Sequence, residues 1–189
     1  MTATAATTTL LDEVLPDYDF RSRHDRHVLA SPGKVAEAAE RYQFDRDASP
    51  FVRLLFRLRG LKIPSGSPRE ALTELGFGVL AERPGREIVA GTIGRFWTLH
   101  ERDNLETPRD LEDFNAFSPP GWAKGVISLR VESREDGTST LVTETRVLCV
   151  DERARRRFVA YWALIGAFSG WIRRDLLAGI ARIAEQDTR

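Results

Sequence analysis

Thr143 and Thr145, two positions apart, are the polar side chains of this sequence best spaced to meet a ligand. In a strand that spacing turns both hydroxyls to one face, and the hairpin register argued below gives them Ile127 and Leu129 as neighbours. An apolar wall with one or two hydroxyls suits a binding pocket, whereas acid–base catalysis needs an ionisable group. Threonine is also a good strand residue that satisfies its hydroxyl locally, so a purely structural role stands beside the ligand role. A second feature is the run of small residues Gly166, Ser169 and Gly170 inside an otherwise bulky helical stretch. Each glycine in a helix interior costs about 1 kcal/mol relative to alanine, so two of them want a reason. Either the helix bends or packs closely there, or small side chains leave volume for a ligand; only Ser169 lies on the main apolar stripe.

The remaining candidates point to ordinary structure. His24, His27 and His100 have no spacing that suggests a metal set or a nucleophile pair, and they read as surface residues. Asp110, Glu112 and Asp113 read as the solvated side of a short helix rather than paired catalytic carboxylates. Arg153, Arg155, Arg156 and Arg157 sit in the first turns of the last helix, where the helix dipole disfavours cations, so an acidic neighbour, a partner or an anionic group is expected to compensate. Arg95, Phe96 and Trp97 place a cation among aromatics, as alternate faces of a half-buried strand would. Trp122 follows a loop and reads as a lid or as a plug. No catalytic residue, metal ligand or cofactor is expected.

Composition narrows the class. The 189 residues carry 28 basic and 28 acidic side chains, which removes the electrostatic footprint of a nucleic-acid binder. A chain of this length buries roughly 70% of its unfolded surface as one domain. Cys149 is the one cysteine, so no intrachain disulfide forms, and a reducing cytoplasmic setting is expected. No apolar run approaches the ~20 residues of a membrane span. The expected organisation is a flexible N-terminal tail over 1–15, in which Leu10, Leu11, Val14 and Leu15 can still dock, and a single domain over 16–189.

The elements that position the threonines follow from periodicity. A first strand is expected over 18–29, crowded by Arg21, Arg23, Asp25 and Arg26. Ser31-Pro32 and Ser49-Pro50 each read as a helix start, with serine at the cap and proline in the first turn; Gly60 sits near the second helix's end. Another short helix is expected over 69–75. Strands over 77–82 and 86–97 join through Arg83-Pro84-Gly85-Arg86, a type II turn. In the longer one, Ile88, Ala90, Thr92, Gly94 and Phe96 share a face. A helix over 108–117 follows, then strands over 124–134 and 138–150. A three-residue loop, Glu135-Asp136-Gly137, pairs Val131 with Leu141, Leu129 with Thr143, and Ile127 with Thr145. The opposite face then carries Ser128, Arg130, Glu132, Glu144 and Arg146 and is expected to be solvated. The last helix, 151–186, shows a stripe of Phe158, Tyr161, Trp162, Ile165, Phe168, Ile172, Leu176, Ile180 and Ile183, with arginines on its other faces.

This α+β order, with the segment 137–147 (Gly-Thr-Ser-Thr-Leu-Val-Thr-Glu-Thr-Arg-Val) feeding into Asp151 and the final helix, resembles the START-like helix-grip superfamily, also called SRPBCC, over roughly 18–186. That superfamily includes polyketide cyclases and lipid-transfer domains. The resemblance implies a curved antiparallel sheet gripping the last helix, two short helices after the first strand, and a cavity for a hydrophobic ligand; it carries over no catalytic residue. Phe96, Ile127, Leu129, Thr143, Thr145, Trp162, Ile165 and Ser169 are the expected lining. The expected function is non-catalytic binding of a small hydrophobic molecule such as a lipid or polyketide. The alternatives are a polyketide cyclase or aromatase, disfavoured because the expected inner face holds no Asp, Glu or His, and an interaction module with a filled core. A homodimer is left open.

Overall fold

A computed structural model describes residues 8–58, 62–98 and 104–187. Its frame is an antiparallel sheet. The strands are β1 (Phe20–Val28), β2 (Gly78–Arg83), β3 (Glu87–Gly94), β4 (Leu105–Glu106), β5 (Ala123–Ser133) and β6 (Ser139–Cys149), in the spatial order β1-β6-β5-β3-β2, with β4 also paired to β3. Seven helices are described: α1 (Leu10–Val14), α2 (Pro32–Arg41), α3 (Phe44–Asp47), α4 (Pro50–Leu58), α5 (Pro68–Glu74), α6 (Leu111–Ala116) and α7 (Glu152–Gln186). The α+β architecture, an antiparallel sheet with a long C-terminal helix packed on it, is the one expected. Among the described residues no helix is long and apolar enough to cross a membrane.

Local chemistry sets the hairpins. Gly137 takes φ 79°, which a side chain would resist, and its N–H donates to the Arg134 carbonyl at 3.1 Å. The resulting register pairs Val131 with Leu141, Leu129 with Thr143 and Ile127 with Thr145, as the face alternation requires. At the other hairpin the Arg86 N–H reaches the Arg83 carbonyl at 2.9 Å with Gly85 at φ 68°. β2 then carries an irregularity between Val79 and Ala81. Of the two expected serine caps, Ser49 accepts the Val52 N–H at 3.3 Å, whereas Ser31 makes no side-chain cap bond and leaves helix initiation to Pro32.

The sheet has two unlike faces. On the inner face α7 lies over β1 and β6, and α2 packs between α7 and β5. Val28, Leu141, Val35, Ala38, Tyr42, Leu177 and Ile180 form the core there. The outer face corrects the expectation of a solvated charged surface. Leu10, Leu11, Val14 and Leu15 dock on Val89, Ile93 and Val126, together with Phe114 of α6. The tail expected over 1–15 is therefore helical from Leu10, held by a capping box between Thr9 and Asp12. Beneath this cover Ser128, Glu144 and Arg146 are buried. The charges survive burial because they are paired: Glu144 takes Arg21 at 2.8 Å and Arg146 at 2.8 Å, and Arg146 reaches Asp12 at 2.6 Å.

α7 is one continuous helix of 35 residues, about 50 Å long at 1.5 Å per residue. Its buried face is turned relative to the expected stripe. Phe158, Leu176 and Ile180 are buried as expected, but so are Gly170, Arg173, Leu177 and Ala181. Four-residue steps from Ser169 through Arg173 and Leu177 to Ala181 run along the side toward the sheet. The expectation that arginines take only the other faces is thus corrected at Arg173. The basic run at the helix start is compensated by acidic neighbours: Arg155 pairs with Asp19 at 3.1 Å and Arg156 with Glu152 at 3.2 Å.

Cys149 closes β6 within the cluster of Val147, Ala154 and Phe158. Burial, then the nearby Asp19 carboxylate, pushes its thiol up to about 12. The thiolate is the reacting form, so iodoacetamide at mildly alkaline pH is expected to leave the native protein unmodified and to label it in denaturant. Rapid native labelling, read by mass, would contradict this burial.

Candidate ligand site beneath the last helix

The inner face gathers a polar group that periodicity did not place. β1 and β6 align Ser22 with Thr145 and His24 with Thr143, and α7 crosses above them. Arg173 descends from α7 and is only 5% exposed. Its Nε donates to the Ser169 carbonyl at 3.2 Å, Nη2 to Ser22 Oγ at 3.0 Å, and Nη1 to Thr145 Oγ1 and, at 3.4 Å, to the Ser22 carbonyl. Burial, with the neighbouring Arg174, lowers the Arg173 pKa to about 10, so the group remains a cation at neutral pH. His24 Nε2 lies 3.3 Å from Ser22 Oγ. Burial foremost, then Arg173 and Arg174, depress its pKa below the ordinary histidine value, which favours the neutral imidazole.

Two expectations change here. The inner face does hold a histidine, since the parity that sends His27 outward brings His24 under α7. The small residue at Gly170 also finds its use: a Cβ there would meet His24 Nε2 at 3.2 Å. Gly166 by contrast faces Trp162 at ordinary contact distance, 3.6 Å. His100 and Gly60 lie outside the described residues. Of the acidic cluster, Asp110 caps α6 and Asp113 pairs with Arg109 at 3.2 Å.

The eight residues expected to line a pocket separate into three groups. Phe96 and Trp162 belong to an aromatic cluster around Phe158, with centroids 6.0 and 5.6 Å away, so that end is filled by rings. Thr143 and Thr145 are buried under α7, where Thr145 serves Arg173. Ile127, Leu129, Ile165 and Ser169 are only half-buried. A cavity of about 270 Å³ opens beside Leu129, between α2 and the turn end of the sheet; Ala36, Ala39, Pro68, Ile88, Leu129 and Val131 form its apolar wall, and Glu40, Arg69, Glu82, Arg83, Arg86 and Glu87 line the rest. Its centre is thus displaced from the volume around Ser169 toward α2. Thr92 on the same face is buried, and its hydroxyl has no hydrogen-bond partner among the described residues.

Trp122 packs edge-on against Phe117 at 5.3 Å, and the Arg95 guanidinium lies 4.8 Å over its ring. Among the described residues no group of three His, Cys, Asp or Glu side chains could hold a metal ion. Arg173 was the residue missed. Its signal was a position four residues after Ser169 and four before Leu177, which places it on the interior side of the helical wheel.

No protein-family model matches the chain, and no curated protein matches it.

Proposed function

We propose that the protein binds a small hydrophobic molecule over the inner face of its sheet, in the manner of the START-like helix-grip proteins whose element order it resembles. One observation carries the proposal: the apolar inner face is incompletely covered. α7 lies over β1 and β6, while Ile88, Leu129 and Val131 on the neighbouring strands remain half-buried and line the cavity of about 270 Å³. Filling that space with ligand removes apolar surface from water at about 25 cal/mol per Å². The volume lies near the lower end of the usual range for ligand pockets, about 300–1,000 Å³, which favours a small ligand. Nile red is the direct probe. Its emission should shift to the blue on adding protein, and Ala39→Trp, which places an indole into the cavity, should remove the shift. An unchanged spectrum with the wild-type protein would argue against an accessible apolar site.

His24 beside Arg173 favours a second proposal, an enzyme of the polyketide cyclase type. A neutral imidazole can accept a proton, and an adjacent guanidinium can stabilise an enolate. Turnover of a poly-β-keto thioester that is lost in His24→Gln would support it.

A further inference from the structure

We propose that Arg173 receives the acidic head of the bound molecule, so that the ligand is an amphiphile ending in a carboxylate. This deepens the binding proposal and rests on it.

The argument begins with charge. An ion taken out of water is strongly disfavoured unless an opposite charge meets it. This protein obeys that rule on its outer face, where buried Arg146 has both Glu144 and Asp12. Arg173 is as deeply buried, yet among the described residues its acceptors are two serine carbonyls and two hydroxyls, all neutral. Among the described residues no carboxylate meets this cation where α7 faces the sheet.

The surroundings can accept one. A guanidinium has five N–H donors in a fork that fits a carboxylate. Two of the present bonds, to the Ser169 and Ser22 carbonyls, are long at 3.2 and 3.4 Å and are readily exchanged for a charged acceptor. His24 and Ser22 stand beside it, half-buried, with an N–H and an O–H able to hold the second oxygen. One buried guanidinium matches a monoanion; a dianion would leave a negative charge uncompensated.

The tail has a course as well. Thr145 faces Ile127 across the β5–β6 pair, and Thr143 faces Leu129, which lies on the apolar wall of the cavity. Leu129 is the diagonal neighbour of Thr145 across that pair, about 7–8 Å away, a span that a short alkyl tail covers from Arg173 to the edge of the cavity.

The test compares dodecanoate with dodecanol by isothermal titration. Dodecanoate should bind at least about 10-fold tighter, the size of a charge-assisted hydrogen bond, and Arg173→Met should remove that preference while leaving dodecanol affinity within about threefold. Equal binding of acid and alcohol, or a preference that persists in Arg173→Met, would overturn the carboxylate assignment while leaving apolar binding standing. Binding of neither probe removes both. A measurement on the wild-type protein covers the case of a variant that does not fold. The carboxyl carbon of [1-13C]dodecanoate should stay at its ionised chemical shift below the pH at which the free acid protonates, and His24 should titrate at higher pH with dodecanoate bound than with dodecanol. Titration of the bound carboxyl as in free solution, with His24 unmoved, would refute the proposal.

Discussion

Replacing Glu144 by alanine is expected to destabilise the protein by about 3–5 kcal/mol, the range for breaking a buried ion pair, which lowers the melting temperature of a chain this size by about 6–20 °C. The Glu144 side chain is 3% exposed and the Arg146 side chain 7%, so removing the carboxylate leaves a buried guanidinium with Asp12 at its rim and the Leu11 and Leu15 carbonyls as neutral acceptors. The Arg21 arm adds less, because that side chain is 43% exposed. Glu132→Ala serves as the comparison. Its partner Arg130 also has Glu87 nearby, and Glu132 is 39% exposed, so a change within about 1 kcal/mol is expected. Differential scanning calorimetry reads both. An E144A protein melting within about 2 °C of wild type would mean that the outer face is open to water.

The same group sets a pH dependence. Burial works to raise the Glu144 carboxyl, but hydrogen bonds from Arg21 and Arg146 outweigh it and hold the group below its ordinary value of 4.5. Asp12 is likewise opposed by burial yet brought to about 2 by Arg146 and Thr9. A folded-state pKa below the unfolded one stabilises the protein above the unfolded value, and the contribution is lost as pH falls through the folded one. Stability therefore declines from about pH 4.5 toward pH 2, and the decline is shallower in E144A.

Two glycines of α7 are expected to respond oppositely to substitution. A Cβ at Gly179 would meet Cε2 of Tyr42 at 2.4 Å, and that ring is fully buried and edge-packed on Phe44 at 5.2 Å. Gly179→Leu should cost about 3 kcal/mol by overpacking, lowering the melting temperature by about 6–12 °C. Gly166→Ala meets nothing closer than 3.6 Å and removes a helix-interior glycine, so a gain of up to about 1 kcal/mol follows. If both variants shift the melting temperature in the same direction, the packing of α2 against α7 is not as described.

Local rules explain which parts of this molecule were legible in its sequence. The β5–β6 register followed from alternation and from one glycine able to take positive φ, because a slip of one residue would turn every side chain to the wrong face. The covering of the outer face was not legible. Ser128, Glu144 and Arg146 have the composition of a solvated strand face, and it is Leu11 and Val14 returning from the far end of the chain, together with Phe114 of α6, that cover it. Of the residues expected to line a pocket, Leu129 borders the cavity beside α2, whereas Phe96 and Trp162 join the rings around Phe158. Arg173 escaped because a residue type that is mostly exposed is read as exposed, and its partners Ser22 and Thr145 come from two strands remote in sequence.

Native mass spectrometry of the protein purified gently from its own host tests the central claim most directly. A bound small molecule of apolar character, carrying a carboxylate and lost on denaturation, is the predicted result. A spectrum of the bare polypeptide alone, with no species taken up from a panel of fatty acids and polyketides, would contradict it.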